Sequence, residues 1–409
     1  MELKPISRPA KVIVTLVEPD VSIVMPCLNE VQSLPHCIAN ARDALGLIEL
    51  KYGLTGEIVI ADNGSTDGSQ ALAQSLGARV VDVPAKGYGA ALIGGFSAAS
   101  GRYLVMGDAD GSYDFTDAVA MIGRLMDGAD LCMGSRFAGG IAPGAMPWKN
   151  RYIGNPVLTG ILNLLFRSGI NDAHCGLRAL TKDAFHALGL RGSGMEFASE
   201  MVIKASLKRL RIAEVPAKLQ PDLRNRPPHL RPWRDGWRHL RYLLMLSPSG
   251  IFGFPAGLAM GFGLGILCAS ILYSLGLLGG TPPFGAGWAI IAGFLLTCGH
   301  LSAIMALATH LHGVRAGYRT MRPVLQRFGH WLTLETTLIL GGLLILGSFV
   351  MIAGIGVYWT SRGLVALPST LPLVCAVVMG AIGMQTILGG FLMAIMAGNE
   401  ANLTPRVRG

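Results

Sequence analysis

The chain has 409 residues, 51% of them hydrophobic and only 14% charged, with a formal net charge of +9. Its mean hydropathy of +0.48 excludes an ordinary soluble protein of this length and points to membrane spans. The charge is segregated: residues 1–248 hold 27 of the 34 Lys and Arg and 23 of the 25 Asp and Glu, while the last 161 residues carry seven basic side chains and two acids, Glu335 and Glu400.

Residues 1–20, MELKPISRPAKVIVTLVEPD, read as an N-terminal extension. They lack an apolar core ahead of a small-residue cleavage site, so no signal peptide is expected. From residue 21 short apolar runs alternate with helix-like segments. VSIVM (21–25) precedes a helical stretch from about 30, and EIVIA (57–61) one from about 67. RVVDV (79–83) precedes GYGAALIGGFSAA, RYLVMG (102–107) precedes another helix, and DLCMGSR (130–136) follows. That order predicts an α/β domain over 21–228 with a mainly parallel sheet. Ligands of such sheets bind beyond the carboxyl ends of the strands. Polar clusters fall there: Pro26-Cys27-Leu28-Asn29-Glu30, Asp62 to Gly68, Lys86-Gly87-Tyr88-Gly89, Asp108-Ala109-Asp110 and Gly134-Ser135-Arg136. Seven cysteines without a CxxC pair read as buried free thiols of a reducing compartment.

The stretch MGDADGSYDF (106–115) is the most acidic of these strand ends. It is no EF-hand loop, which needs Gly at its sixth position and Glu at its twelfth; Tyr113 and Val119 stand there. Gly87-x-Gly89 is followed by Leu92 where a dinucleotide fingerprint needs Gly, and the GxxxxGK[ST] pattern is absent. A nucleotide held through a metal is left: a carboxylate pair at a strand end suits Mg2+ or Mn2+, hard cations that neutralise a diphosphate.

Residues 229–246, HLRPWRDGWRHLRYLLML, place Arg231, Arg234, Arg238 and Arg241 three, four and three apart, which a helix stacks along one face. Trp233, Trp237 and Leu240 lie beside that stripe. A basic amphipathic interfacial helix over 229–248 is expected. Its arginines either attract anionic lipid without specificity or, at Arg234 and Arg238, hold the phosphate of a lipid substrate.

Residues 249–409 read as a transmembrane domain with four helices, at about 250–279, 287–311, 332–358 and 367–396, each long enough to cross ~30 Å of hydrocarbon. Arg315, Arg319, Arg322, Arg327, Arg406 and Arg408 lie on one side of the spans and Arg362 alone on the other. The positive-inside rule then places the N-terminal domain and both termini in the cytoplasm, on a multi-pass protein of the cell (inner) membrane. Trp288, Trp331 and Trp359 fall at span ends, as an aromatic belt requires. Glu335 and His300 are the notable ionisable residues within spans, too few for a proton-driven transporter.

Together these segments resemble the family-two glycosyltransferases of the GT-A fold, and most closely the polyprenyl-phosphate hexosyltransferases of the dolichol-phosphate mannose or glucose synthase type. The family's P-x-x-N-E matches Pro26, Asn29 and Glu30, and its second-strand acidic segment matches Asp62 to Gly68. Lys-Gly-x-Gly-Ala matches 86–90, the DxD pair Asp108 and Asp110, and Gly-Ser-Arg 134–136. Asp172 to Arg178 resembles the family's Asp…Gly-Phe-Arg segment, and Glu196 to Glu200 the one before the last strand. The resemblance covers about 21–245. It implies that Pro26, Glu30 and Asp62 hold base and ribose, with Asn29, Ser65, Lys86, Ala109 and Arg178 in the same nucleotide-sugar site. Asp108 and Asp110, with Ser112, would bind the metal; Arg136 and Arg151 would act near the donor diphosphate or the lipid phosphate; Arg224 or Arg226 would close over the diphosphate. Mannose synthases usually have Gln where Ser112 stands, and their Arg-x-x-Gly-x-Ser-Lys stretch is replaced by Arg224 to Arg231.

The reaction so implied is attack by a polyprenyl monophosphate on the anomeric carbon of a UDP- or GDP-hexose, a single displacement with inversion. A phosphate monoester is largely ionised near pH 7, its second pKa being about 6, so positioning and counter-charge matter more than a general base. A homo-oligomer is allowed and no nucleic-acid partner is expected. Two other classes fit less well. A processive polysaccharide synthase typically carries Gln-x-x-Arg-Trp, absent here. A lipid transporter or scaffold with an inactive transferase domain would not need the acid pair.

Overall fold

A computed structural model describes residues 18–224, 232–279, 286–365 and 367–403. Arg226, Arg231, Arg406 and Arg408 lie outside the described residues, as do most of the N-terminal extension and the 280–285 link. The chain forms two compact units. The first comprises residues up to Pro156, Ile170–Ala198 and Leu210–Leu230; the second Val157–Gly169, Ser199–Arg209 and Arg231–Gly409.

The first unit alternates strand and helix. β1 (Val21–Cys27), α1 (Leu34–Tyr52), β2 (Gly56–Asp62), α2 (Ser69–Ser75), β3 (Arg79–Asp82), α3 (Tyr88–Ala98) and β4 (Tyr103–Met106) lead to α4 (Ala118–Met126) and β5 (Leu131–Ser135). The one-turn α5 (Arg136–Gly139), α6 (Asn155–Phe166), β6 (Arg178–Thr181), α7 (Lys182–Leu188), α8 (Phe197–Leu207) and β7 (Ile212–Pro216) complete it, with α6 and α8 passing into the second unit. Ile23, Val24 and Met25 of β1 and Val59 and Ile60 of β2 are fully buried, as strands covered on both faces must be, hence their unbroken apolar runs.

The sheet order is β3-β2-β1-β4-β6-β5-β7. β1 pairs in parallel with β2, Cys27 opposite Asp62, and with β4, Val24 opposite Met106. The order reverses between β1 and β4, the crevice where open α/β sheets bind ligands. The mainly parallel sheet is as expected, with one addition: β6 runs antiparallel between β4 and β5, Arg178 opposite Met106 and Met133. Running backwards, β6 starts at the edge where its neighbours end, so the segment 172–178 joins their carboxyl-end loops.

The second unit holds α9 (Pro232–Met245), α10 (Phe254–Ser274), α11 (Ala286–Arg315), a short α12 (Pro323–Phe328), α13 (Leu334–Ser361) and α14 (Leu371–Met396). The four long apolar helices span Ser249–Ser274, Gly287–Arg315, Leu334–Ser361 and Leu371–Met396. The first stops five residues short of the expected 279, because Gly276 turns the backbone at φ 71°; the second runs on to Arg315. The interfacial helix is described from Pro232 and ends at Met245, three residues before the expected 248, and Arg234, Arg238 and Arg241 are exposed along it. Trp288, Trp331 and Trp359 are exposed at helix ends. Glu335 sits in the first turn of α13, where a carboxylate suits the helix dipole. His300 Nε2 lies 3.1 Å from Thr386 Oγ1.

Small residues set the approach of α13 to α14. A Cβ on Gly341 would lie 2.6 Å from the carbonyl oxygen of Gly383, and one on Gly383 2.7 Å from that of Gly341, the close backbone contact that lets apolar helices associate in lipid. Gly383→Val should therefore lower stability by about 1–3 kcal/mol, read as a lower thermal midpoint of the full chain in detergent. Gly342→Ala, whose Cβ meets nothing within 4 Å, should leave the midpoint unchanged.

Candidate active site

β4 delivers the acid pair to the switch point. Asp108 Oδ1 accepts the Tyr88 hydroxyl at 2.9 Å, and Asp110 Oδ1 accepts the Ser112 N–H at 2.9 Å. The Ala109 carbonyl between them accepts Ser33 Oγ at 2.6 Å. Gly111, at φ 79°, turns the loop where a side chain would be strained; a Cβ there would also strike Leu223. The segment before residue 224 fastens the loop from its other side, Gln220 N–H donating to the Ser112 carbonyl and Leu223 N–H to the Asp110 carbonyl, both at 2.9 Å. That leaves Arg224 across the acids. Its Nη2 donates to Asp110 Oδ2 at 2.7 Å and to Asp222 at 3.1 Å, and its Nη1 to Glu30 Oε1 at 3.3 Å.

Burial, then the charge of Asp110, pushes the Asp108 carboxyl up to about 7. A raised carboxyl beside a second acid is what a site shaped for added positive charge produces. Gly176 stands against Asp108 Oδ2, which a Cβ there would meet at 2.8 Å. The oxygen donors and their mutual repulsion fit a divalent cation. Among the described residues no group of three or more His, Cys, Asp or Glu could hold a metal ion.

The ends of β1 and β2 build a second wall. Asp62 is fully buried; its Oδ2 accepts the N–H groups of Gly64 and Ser65 and Gln70 Nε2, at 2.9, 3.1 and 2.5 Å. Burial works to raise this carboxyl, but the hydrogen bonds from Ser65, Gln70 and Gly64 outweigh it and hold it below the usual range. Its buried Oδ1 has no partner among the described residues, leaving an acceptor for a ligand N–H or O–H. Pro26 pairs with Ala61 next to it. Asn29, at φ 59°, ties the two loops together, accepting Thr66 N–H at 2.8 Å and donating its own N–H to Ser65 Oγ at 2.9 Å. Lys86 Nζ donates to the Asn63 carbonyl at 2.7 Å, and Asn63 Oδ1 accepts Gly87 N–H at 2.8 Å.

Two arginines that the resemblance assigned to ligands, Arg136 to a phosphate and Arg178 to the nucleotide-sugar site, are engaged within the protein. Arg136 is buried and grips Asp172 with both ends of its fork, Nε to Oδ2 and Nη2 to Oδ1 at 2.7 Å, while its N–H donates to Oδ2 at 3.1 Å. Arg178 is 0% exposed and donates to the carbonyls of Cys175, Ala198 and Ala173 at 2.8, 2.6 and 3.0 Å. Both shape the 172–178 loop. Arg151 is half-buried, stacked over the Tyr152 ring at 5.4 Å. Arg234 and Arg238 belong to the second unit. The structure thus brings together Pro26, Asn29, Glu30, Asp62, Ser65 and Lys86 on one wall and Asp108, Ala109, Asp110, Ser112 and Arg224 on the other. Sequence reasoning missed Tyr88, Gln70 and Asp222. Tyr88, next to Lys86-Gly87, was within reach of the signal; Asp222, two residues from Arg224, became visible only with the fold.

A doubly wound, mainly parallel sheet with an acid pair after its fourth strand and a buried acid after its second is the GT-A fold of nucleotide-sugar transferases. Residues 22–189 match the family described as Glycosyl transferase family 2, and residues 307–397 the Glycosyltransferase family 2 C-terminal transmembrane region. The chain is 35% identical over 387 residues to the low-salt glycan biosynthesis hexosyltransferase Agl6 of Haloferax volcanii, covering 92% of this chain and 89% of that one. It is 27% identical over 198 residues, 48% of this chain and 81% of the other, to a dolichyl-phosphate hexose transferase of the same organism. Glucosyl-3-phosphoglycerate synthase from Mycobacterium tuberculosis, solved with Mn2+, UDP and glucosyl-3-phosphoglycerate, aligns with a TM-score of 0.41 and 23% identity over 56% of this chain and 79% of that one. The protein belongs to glycosyltransferase family 2 and is a membrane glycosyltransferase.

Asp108 has a higher carboxyl pKa folded than its ordinary 3.8, so its ionisation weakens the fold progressively as pH rises from about 4 through about 7. Asp108→Asn, which keeps an acceptor for Tyr88, should raise the thermal midpoint of the ligand-free protein at pH 8, leave it unchanged near pH 4, and abolish glycosyl transfer. Asp172→Ala should cost about 3–5 kcal/mol by leaving Arg136 buried and unpaired. Adding Arg136→Met should recover much of that loss in thermal melts, which a purely phosphate-binding Arg136 would not do.

Proposed function

We propose that the protein transfers a hexose from a UDP- or GDP-hexose to a polyprenyl monophosphate, forming polyprenyl-phosphate-hexose, with its catalytic unit on the cytoplasmic face of the cell membrane. The observation that carries the reading is the acid pair Asp108 and Asp110 at the switch point, with Arg224 on Asp110: two carboxylates one residue apart that could share a cation, next to a guanidinium able to follow the diphosphate. Asp108 and Asp110 would hold Mg2+ or Mn2+, which when bound neutralises the donor diphosphate and its leaving charge. Asp62, through its open Oδ1, and Glu30 would hold the nucleoside. Arg224 would exchange Asp110 for phosphate oxygens once the cation takes the acid, since Arg binds phosphate through two parallel hydrogen bonds. Tyr88 keeps Asp108 oriented.

For the acceptor, the support is the family's membrane region, the relative named for dolichyl-phosphate hexose transfer, and the exposed arginines of α9. The acceptor phosphate is ionised at neutral pH, so the chain needs only to seat it in line with the anomeric carbon and offset the repulsion between two phosphates. Direct displacement then inverts that carbon. Arg151, less enclosed than Arg136 and Arg178, would meet that phosphate from the first unit.

The test offers purified protein UDP- and GDP-hexoses with undecaprenyl or dolichyl phosphate and Mg2+ or Mn2+. One donor should give nucleoside diphosphate release that depends on both lipid phosphate and metal, and Asp110→Asn should remove it. Release that ignores the lipid phosphate would overturn the acceptor, and a retained anomer in the lipid product would overturn single displacement.

A further inference from the structure

The second unit contains a cluster of cationic and imidazole groups that the transfer reaction does not use. His310, near the end of α11, is only 6% exposed, and neither of its ring nitrogens has a hydrogen-bond partner among the described residues. Gly313 lies three residues on, on the same helical face. A Cβ there would meet Arg319 Cδ at 2.7 Å and the Tyr318 ring at 3.0 Å, so a glycine lets Arg319 pack against the helix. Past α11 the chain turns at Gly317 (φ 74°) and folds back, the N–H groups of Tyr318 and Arg319 both donating to the Gly313 carbonyl at 3.2 Å. His310 comes within electrostatic range of both Arg319 and Arg322.

Arg319 Nη2 donates to the Leu246 carbonyl, just past α9, and Arg322 Nη2 to Ser249 Oγ. Part of this is ordinary capping, since a cation suits a helix C-terminus. Capping leaves the rest of the donor set unspent: Arg319 Nε is buried without a partner among the described residues. Among the described residues neither Arg319 nor Arg322 forms a salt bridge. Only two acids, Glu335 and Glu400, occur after residue 248. Arg319 Nε and the His310 ring are buried polar groups of the kind that are normally satisfied, and Arg322, exposed nearby, brings a second guanidinium with N–H groups to spare.

We propose that His310, Arg319 and Arg322 form a binding site for the terminal phosphate of a membrane lipid. A phosphate monoester carries close to two negative charges and three acceptor oxygens at neutral pH, which match two arginine forks and one imidazole N–H. The site lies where α9 gives way to the first span and where the second span ends. Both are the same end of the bundle, at headgroup level, so a lipid phosphate reaches it with its chain in the bilayer. Its residues belong to the second unit, whereas Asp108 and Asp110 belong to the first, and it does not depend on which lipid accepts the sugar.

The test uses the full chain in a neutral detergent and follows the thermal midpoint as lysophosphatidic acid is titrated, with lysophosphatidylcholine and inorganic phosphate in parallel. A saturable rise with lysophosphatidic acid is expected, with half-saturation weakened about tenfold or more in Arg322→Gln and in His310→Leu. Neither change removes the Arg319 cap on α9, and Arg362→Gln, at the opposite end of the spans, should bind like the unaltered protein. Half-saturation unchanged in both variants would overturn the site. An equal rise with lysophosphatidylcholine would overturn recognition of the monoester, and an equal rise with inorganic phosphate would overturn the lipid as its source. Binding of nucleoside diphosphate with Mn2+, measured on the same samples, should be unaffected, so failure here is separable from failure of the transfer reaction.

Discussion

Two acids one residue apart, folded into a largely buried loop, repel each other, and much of the catalytic unit answers that repulsion. Glu30 adds a third negative group and Asp222 a fourth, and Arg224 lies across three of the four. The backbone ties from Gln220 and Leu223 to the acid loop keep that arginine in place. A carboxylate group of this kind is weak as a source of stability, and under the proposed reading an incoming cation would relieve the repulsion that folding imposed. The same logic explains the second wall, where Asp62 spends one oxygen on the loop and leaves the other open.

Much of this was legible in the sequence because parallel sheets write their functional edge in a simple code. An apolar run buried on both faces ends, and a polar cluster begins. Cys27, Asp62 and Met106 end their strands, each within one or two residues of where the apolar runs 21–25, 57–61 and 102–107 end. What the code could not convey was who pairs with whom. Arg136 looked like a free cation because its partner, Asp172, is 36 residues away in the chain. Arg178 looked like a ligand because nothing local reveals that a four-residue strand runs backwards there and buries its first side chain. Non-local pairing decides both, and one sequence carries no record of it.

The membrane unit was legible in another way. Span number followed from hydropathy alone, and span ends followed less well, since a single left-handed glycine at 276 ended a helix that apolar residues would have allowed to continue. Contacts that fix one helix against another, such as Gly341 on Gly383, are invisible to a hydropathy average because glycine reads as neutral filler. The role of Gly313 was hidden for the same reason.

The path of the chain between its two units has a practical meaning. The polypeptide leaves the catalytic unit after Pro156, returns at Ile170, leaves again after Ala198 and returns at Leu210 before the final departure. α6 and α8 are thus each split between the sugar-transferring half and the half that carries the spans. Ser199 Oγ, in the part of α8 that belongs to the second unit, lies 2.8 Å from His239 Nδ1 of α9, and a Cβ on Gly250 would meet Leu165 of α6 at 2.8 Å. Cutting the gene just ahead of α9 would strip both helices of these neighbours, so such a cut falls inside the second unit rather than at its border.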